Sequence, residues 1–297
     1  MFKTIQAAVN NLSTTAPETQ ILMIAPGKYI EQVTIPDRQA QLTIYGLKNP
    51  STSYADNQVT ISFNKNRATE TNNYDTATLR MKASKVKMYN VNVENTSAPS
   101  THQALAVAAF VGMQGYYGCQ FSAYQDTVWT NEGHQVYAKC MISGQVDFIF
   151  GEAIFVEGRA LVTKSDVRVV PGHLGFITAS GRASSTSQAW LVLDQCNIGG
   201  GDANTTGKIF LGRPWGDFAK TTVQNSVLSN IINPDGWAPW SPTMPHTANA
   251  TFVEFGNTGP GAAGNRTIGK HAGSVVTIAD VLGTDYMTMP YVDAKFL

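Results

Sequence analysis

Hydrophobic residues fall in short runs along nearly the whole chain, and almost nowhere at helical spacing. Phe2, Ile5, Val9 and Leu12 are the exception and predict one short helix at the start. Beyond it, β-prone runs follow one another at residues 21–24, 41–45, 86–93, 105–110, 190–193, 208–211 and 252–255. Gly, Asn, Asp, Ser or Pro punctuates them, as expected of strands joined by tight turns. No long helical pattern separates the runs, which argues against a doubly wound α/β chain.

The pattern also repeats. Residues 112–129 align with residues 133–150 at an offset of 21. Gly112 meets Gly133, Gln114 meets Gln135, Tyr116 meets Tyr137, Cys119 meets Cys140, Ser122 meets Ser143 and Asp126 meets Asp147. Apolar positions agree as well: Phe121 with Ile142, Val128 with Ile149, Trp129 with Phe150. A period near 20 residues holding several short strands marks a solenoid coil. Residues one period apart then stack on neighbouring coils about 4.8 Å apart, which brings the carboxylates of Asp126 and Asp147 side by side.

Two carboxylates that close do not both ionise freely. One pKa rises, and the pair offers an acid beside a base or nucleophile at a single pH. Either aspartate alone would more simply be a turn residue bonding its own backbone; two in register, followed by Trp129 and Phe150, read better as a sugar-binding cleft with catalytic carboxylates. The spacing alone fits a retaining glycosidase and an ester hydrolase with an aspartate nucleophile equally well.

Composition narrows the partners. Lys and Arg number 21, as do Asp and Glu, so net charge is zero, and only 14% of residues are charged. Zero net charge argues against nucleic acid as a partner, since neutralising phosphates needs a basic face. The longest apolar run, residues 104–113, is too short for a membrane helix. The opening residues lack a signal-peptide pattern, which fits a cytosolic chain or a mature form with its leader removed. Asn11, Asn95, Asn204, Asn249 and Asn265 head glycosylation sequons and give mild support for secretion. Three cysteines form neither a disulfide framework nor a metal site. Cys119 and Cys140 either bridge adjacent coils or stack as small apolar residues, and Cys196 reads as a buried thiol. The five histidines lack zinc-ligand spacing. The run at residues 259–264 fits a dinucleotide fingerprint only formally, because no helix pattern follows it, and no Gly-x-Ser-x-Gly elbow is present.

Several segments resemble the pectin methylesterase (pectinesterase) family in order. They are Gly27-Lys28-Tyr29-Ile30-Glu31; His102-Gln103-Ala104-Leu105-Ala106; Tyr124-Gln125-Asp126-Thr127; Ser143-Gly144-Gln145-Val146-Asp147-Phe148-Ile149-Phe150-Gly151; Leu211-Gly212-Arg213-Pro214-Trp215; and Glu254-Phe255-Gly256-Asn257-Thr258-Gly259-Pro260-Gly261-Ala262. The resemblance implies an all-β, single-stranded right-handed parallel β-helix with the short N-terminal helix as its cap. It implies one free-standing catalytic domain of microbial or fungal type over residues 1–297, secreted, monomeric, and without metal or organic cofactor. The substrate is pectin (homogalacturonan), whose C6 methyl esters are removed. By the same resemblance Asp147 is the nucleophile, Asp126 the general acid and then base, Gln103 and Gln125 the oxyanion donors, and Arg213 the residue that orients Asp147. Gln103 and Arg213 also touch substrate, and Trp215, Trp129 and Phe150 stack on sugar rings. Glu152, where relatives often carry a neutral residue, is expected to influence the pH optimum if it faces the cleft. The competing readings are a pectin lyase or glycosidase on the same fold, or a β-helix that only binds polysaccharide.

Overall fold

The computed structural model describes residues 1–151 and 158–297. Among them, the strands form three parallel sheets of ten, eight and seven strands, each winding turn adding at most one strand to a sheet. The first sheet begins with Gln20–Met23 and Leu42–Tyr45, the second with Gly27–Ile30 and Val59–Phe63, the third with Val33–Ile35 and Leu79–Met81. The chain is therefore a parallel β-helix. Successive parallel crossovers of twisted strands take the right hand.

The register is the one the repeat predicts. Gln114 pairs with Gln135, Tyr116 with Tyr137, Phe121 with Ile142, and Ser122 with Ser143. Gly112 and Gly133 stack so closely that a Cβ on either would lie 2.7 or 2.5 Å from the other's Cα. Inward residues of each coil form a core with strand alternation, as in Val91–Asn95, where Val91 and Val93 are buried.

The run at residues 86–93 is two strands on two sheets, Val86–Tyr89 and Val91–Asn95. Asn90 between them adopts φ +54°, a left-handed corner that asparagine tolerates better than most residues. Its side-chain amide donates to Ser51 O at 3.0 Å and Asn57 Oδ1 at 3.0 Å, pinning a long excursion to the corner. The same corner on other coils is Gly118, Lys139, Lys164, Gln195 and Asn225, all with positive φ.

The N-terminal helix is Ile5–Asn10, shorter than the apolar spacing implies; Phe2 stays half exposed. Thr4 caps it, and Glu31 accepts from the backbone N–H of Ile5 at 2.7 Å and of Gln6 at 2.9 Å. Gln6 in turn exchanges hydrogen bonds with the backbone of Thr34, fixing the helix to the first strand of the third sheet. At the other end, the C-terminal segment crosses the outer face of the first sheet. Tyr89, Tyr117, Val136, Leu161 and Val192 bury themselves against Val281, Leu282, Tyr291 and Phe296. Tyr117 Oη donates to Tyr291 O at 2.6 Å and Tyr89 Oη to Asp293 Oδ2 at 2.8 Å. Parallel sheets need such cover because both faces are apolar.

Cys119 and Cys140 are free, buried thiols on adjacent coils, as is Cys196 further along. The Cys140 thiol points to Tyr116 O at 3.3 Å and that of Cys119 to Met88 O at 3.5 Å, so the pair stacks and does not bridge. Among the described residues, no helix is long and apolar enough to cross a membrane.

Candidate active site

The third sheet carries the site on its outer face. Pairing aligns Thr34, Arg80, Ala108, Trp129, Phe150, Ala179 and Arg213 in one row across seven coils. Gln125 bridges Val146, which places Asp126 and Asp147 at equivalent points of consecutive coils beside that row. A cleft of about 200 Å³ gathers Asp126, Asp147, Gln103, Gln125, Arg213, Trp215 and Phe150. Trp129 stacks on Phe150 with ring centroids 5.9 Å apart. Phe150 is only 2% exposed, so it lines the cleft chiefly as support for its neighbours.

Local backbone aims the two carboxylates. Asp126 sits at φ +62° and Asp147 at φ +50°, conformations aspartate adopts more readily than most side chains. The pairing of strand Val146–Gly151 with Gly175–Ser180 slips between Val146 and Ile149, a bulge that re-aims the side chains between them. Asp126 N–H donates to Val146 O at 3.1 Å, and the Thr127 hydroxyl donates to Ser143 O at 2.8 Å, so the turn is held from the next coil. Gly212 is required at its position, since a Cβ there would meet Thr178 Oγ1 at 2.0 Å; the adjacent Arg213 lies tight against the sheet.

Both aspartates are nearly buried, but their partners differ. Arg213 grips Asp147 bidentately, Nε to Oδ1 at 2.8 Å and Nη2 to Oδ2 at 2.5 Å. The guanidinium is itself sandwiched, 4.0 Å from the Phe176 ring and 4.3 Å from that of Trp240, which fixes the plane of the fork. Among the described residues Asp126 makes no ion pair, though the charge of Arg213 still reaches it; Asn73 Nδ2 donates to its Oδ2 at 3.3 Å. Burial pushes the Asp126 carboxyl well above its usual range, and the negative charge of Asp147 pushes it further. Burial also raises Asp147, but the hydrogen bonds and charge of Arg213 pull it back down. Asp147 is thus the more acidic of the two, and Asp126 holds its proton to higher pH.

Asn73 and Trp240 complete the cleft, and no motif or repeat marked them. Both come from excursions between coils, where sequence has no periodic partner to align with. Glu152 lies outside the described residues. Two of the resembling segments serve structure instead. Glu31 caps the first helix, and at the start of the late segment buried Glu254, in the strand Thr251–Phe255, receives Arg266 Nε at 2.7 Å and Trp237 Nε1 at 3.1 Å. Among the sequons, Asn95 is buried with its amide donating to the carbonyls of Lys65, Thr76 and Leu105, which leaves no room for a glycan; the other four asparagines are exposed. Among the described residues no group of three or more His, Cys, Asp or Glu is arranged to hold a metal ion.

The family model for pectinesterase matches residues 1–295. The chain belongs to the pectinesterase family. It is 41% identical to a pectinesterase of Aspergillus niger over 300 residues, covering all of this chain and 89% of that one. The crystal structure of the pectin methylesterase from Aspergillus niger, in a form trimmed of most of its glycan, superposes with a TM-score of 0.88 at 34% identity, covering 99% of this chain and 94% of that one. Pectin methylesterase from carrot shares the fold, with a TM-score of 0.86 at 24% identity, covering 98% of this chain and 92% of that one. Pectinesterases are carboxylic ester hydrolases, and pectin demethylation is the activity of this chain.

Proposed function

We propose that the chain, acting as a single domain and a monomer outside the cell, demethylates the C6 esters of homogalacturonan through an acyl-enzyme on Asp147. The observation that carries this reading is the unequal partnering of the two aspartates: Arg213 forms a bidentate ion pair with Asp147, and among the described residues Asp126 has no ion pair. An ionised Asp147 attacks the ester carbonyl carbon. The tetrahedral oxygen gains negative charge and is met by the side-chain amides of Gln103 and Gln125, which line the cleft. Asp126 gives its proton to the departing methoxy oxygen, and methanol leaves. Now ionised, Asp126 takes a proton from water as that water attacks the acyl-enzyme, and free galacturonate and Asp147 return.

Arg213 keeps the nucleophile ionised and oriented, and with Gln103 it reaches substrate. Trp215 and Trp129 meet sugar faces, backed by Phe150. No step calls on a metal or organic cofactor. Secretion is supported by the four exposed sequons at Asn11, Asn204, Asn249 and Asn265. The test is highly methylated pectin with the wild-type protein. Methanol should appear in step with new carboxylates while chain length stays constant; a falling chain length without methanol would point to a lyase or glycosidase.

A further inference from the structure

Arg213 reaches a long way to its partner. It stands on the strand Ile209–Pro214, while Asp147 stands two coils back on Val146–Gly151, about 10 Å away at the usual strand spacing. Between them in the row lies Ala179, whose single methyl leaves the outer face open for the arginine to cross. A side chain of that length has many rotamers, yet only one plane of its guanidinium brings Nε and Nη2 to the two carboxylate oxygens together. Among the described residues its Nη1 makes no hydrogen bond, so the two bonds to Asp147 are all that hydrogen bonding contributes to that choice.

Phe176 supplies the rest. It lies on the strand that Arg213 crosses, Gly175–Ser180, and pairs with Val146, the residue before the nucleophile. Its backbone is seated tightly, since a Cβ on the preceding Gly175 would lie 2.5 Å from Gln145 O. Its ring stacks on Phe210 of the next coil, centroids 5.8 Å apart and planes 16° apart. Against this braced ring lies Arg213, Cζ 4.0 Å from its centre. Trp240 covers the guanidinium at 4.3 Å, but it comes from a loop between coils; Phe176 is the wall built into the sheet. Two ring faces also keep water from the fork, and charge-assisted hydrogen bonds strengthen as the local dielectric falls.

We propose that Phe176 is a positioning residue of the reaction: its ring face holds the guanidinium of Arg213 in the plane of the Asp147 carboxylate. The proposal rests on Asp147 being the nucleophile. Phe176 acts only through Arg213. A ring that fixes the fork keeps the attacking oxygen aimed and ionised, and its loss lets the guanidinium turn and take up water.

The test follows kcat and KM on highly methylated pectin across pH for wild type, Phe176→Leu, Phe176→Tyr and Phe210→Leu. Phe176→Leu keeps apolar bulk but loses the flat face. It should lower kcat about tenfold, the size of a well-shielded cation–π contact, with KM within about twofold of wild type. The acid limb of its profile should move up, because Asp147 ionises less readily once the fork is loose. Phe176→Tyr keeps the face and should restore both the rate and the limb. Phe210→Leu disturbs the same stack without touching the guanidinium, so it should lower the melting temperature and leave the limb in place. Phe176→Met removes the face with a more adaptable side chain and serves should Phe176→Leu fold poorly. A folded Phe176→Leu or Phe176→Met with wild-type kcat and an unmoved acid limb would overturn the proposal, as would an equal limb shift in Phe210→Leu. The Asp147 carboxyl titration, followed by carbon-13 NMR, should move the same way in Phe176→Leu and needs no turnover. Absence of methanol release from wild type would therefore overturn the esterase reading while this titration still decides the role of Phe176.

Discussion

Burial makes both aspartates reluctant to ionise, and the difference between them rests on their neighbours. Two charge-assisted donors from one planar guanidinium offset part of that penalty at Asp147, while Asp126 has an amide from Asn73 and a like charge nearby. A buried acid of this kind is linked to stability. Its folded pKa lies above the unfolded value, so its contribution is complete below about pH 4, where the carboxyl of either state is protonated, and is lost as pH rises through the folded pKa. Asp126→Asn keeps the shape and removes the titration. The variant should melt at a higher temperature than wild type at neutral pH, with the gap closing toward acid; a variant less stable at neutral pH would show that Asp126 is not held protonated by its surroundings. In the sequence, Asp126, Asp147 and Arg213 were legible because a repeat or a compact motif marked each. Asn73, Phe176 and Trp240 were not, because they reach the site from loops or through packing, and nothing in linear order ties them to it.

At the scale of elements, the coils owe their regularity to short β-prone runs and to corner residues that accept positive φ. Alternation revealed most strands, but the Asn90 corner stayed hidden, since residues 86–93 look continuous when read only for polarity. The initial helix was visible in its spacing; what anchors it was not. Glu31, just past the strand Gly27–Ile30, accepts two of the orphan N–H groups of its first turn, and places negative charge at the positive end of the helix. Glu31→Ala should therefore cost about 1–2 kcal/mol, read as a lower urea midpoint. An unchanged midpoint would mean that the packing of Ile5 and Val9 alone holds the cap.

On the scale of the whole molecule, the three faces of the solenoid have different fates. The first is sealed by the C-terminal segment, whose apolar residues match outward tyrosines and aliphatics one coil after another. The second carries the excursion containing Tyr54, whose hydroxyl donates to Asp166 at 2.6 Å. The third keeps a groove along its axis, with aromatic side chains as its floor and the aspartate pair at its centre. Stacking explains why chemistry legible as a 21-residue offset becomes a site: the repeat turns separation along the chain into one inter-strand step. The cover on the first face escaped sequence reading because its partners sit on many coils and follow no motif. Central to this picture is that Asp147 is the attacking group. The most direct measurement is methanol release from highly methylated pectin by Asp147→Ala, with folding verified by its circular dichroism. Loss of the nucleophile should lower kcat by about 10⁴-fold or more, with pectin still bound; a folded variant retaining a tenth or more of wild-type activity would contradict the assignment.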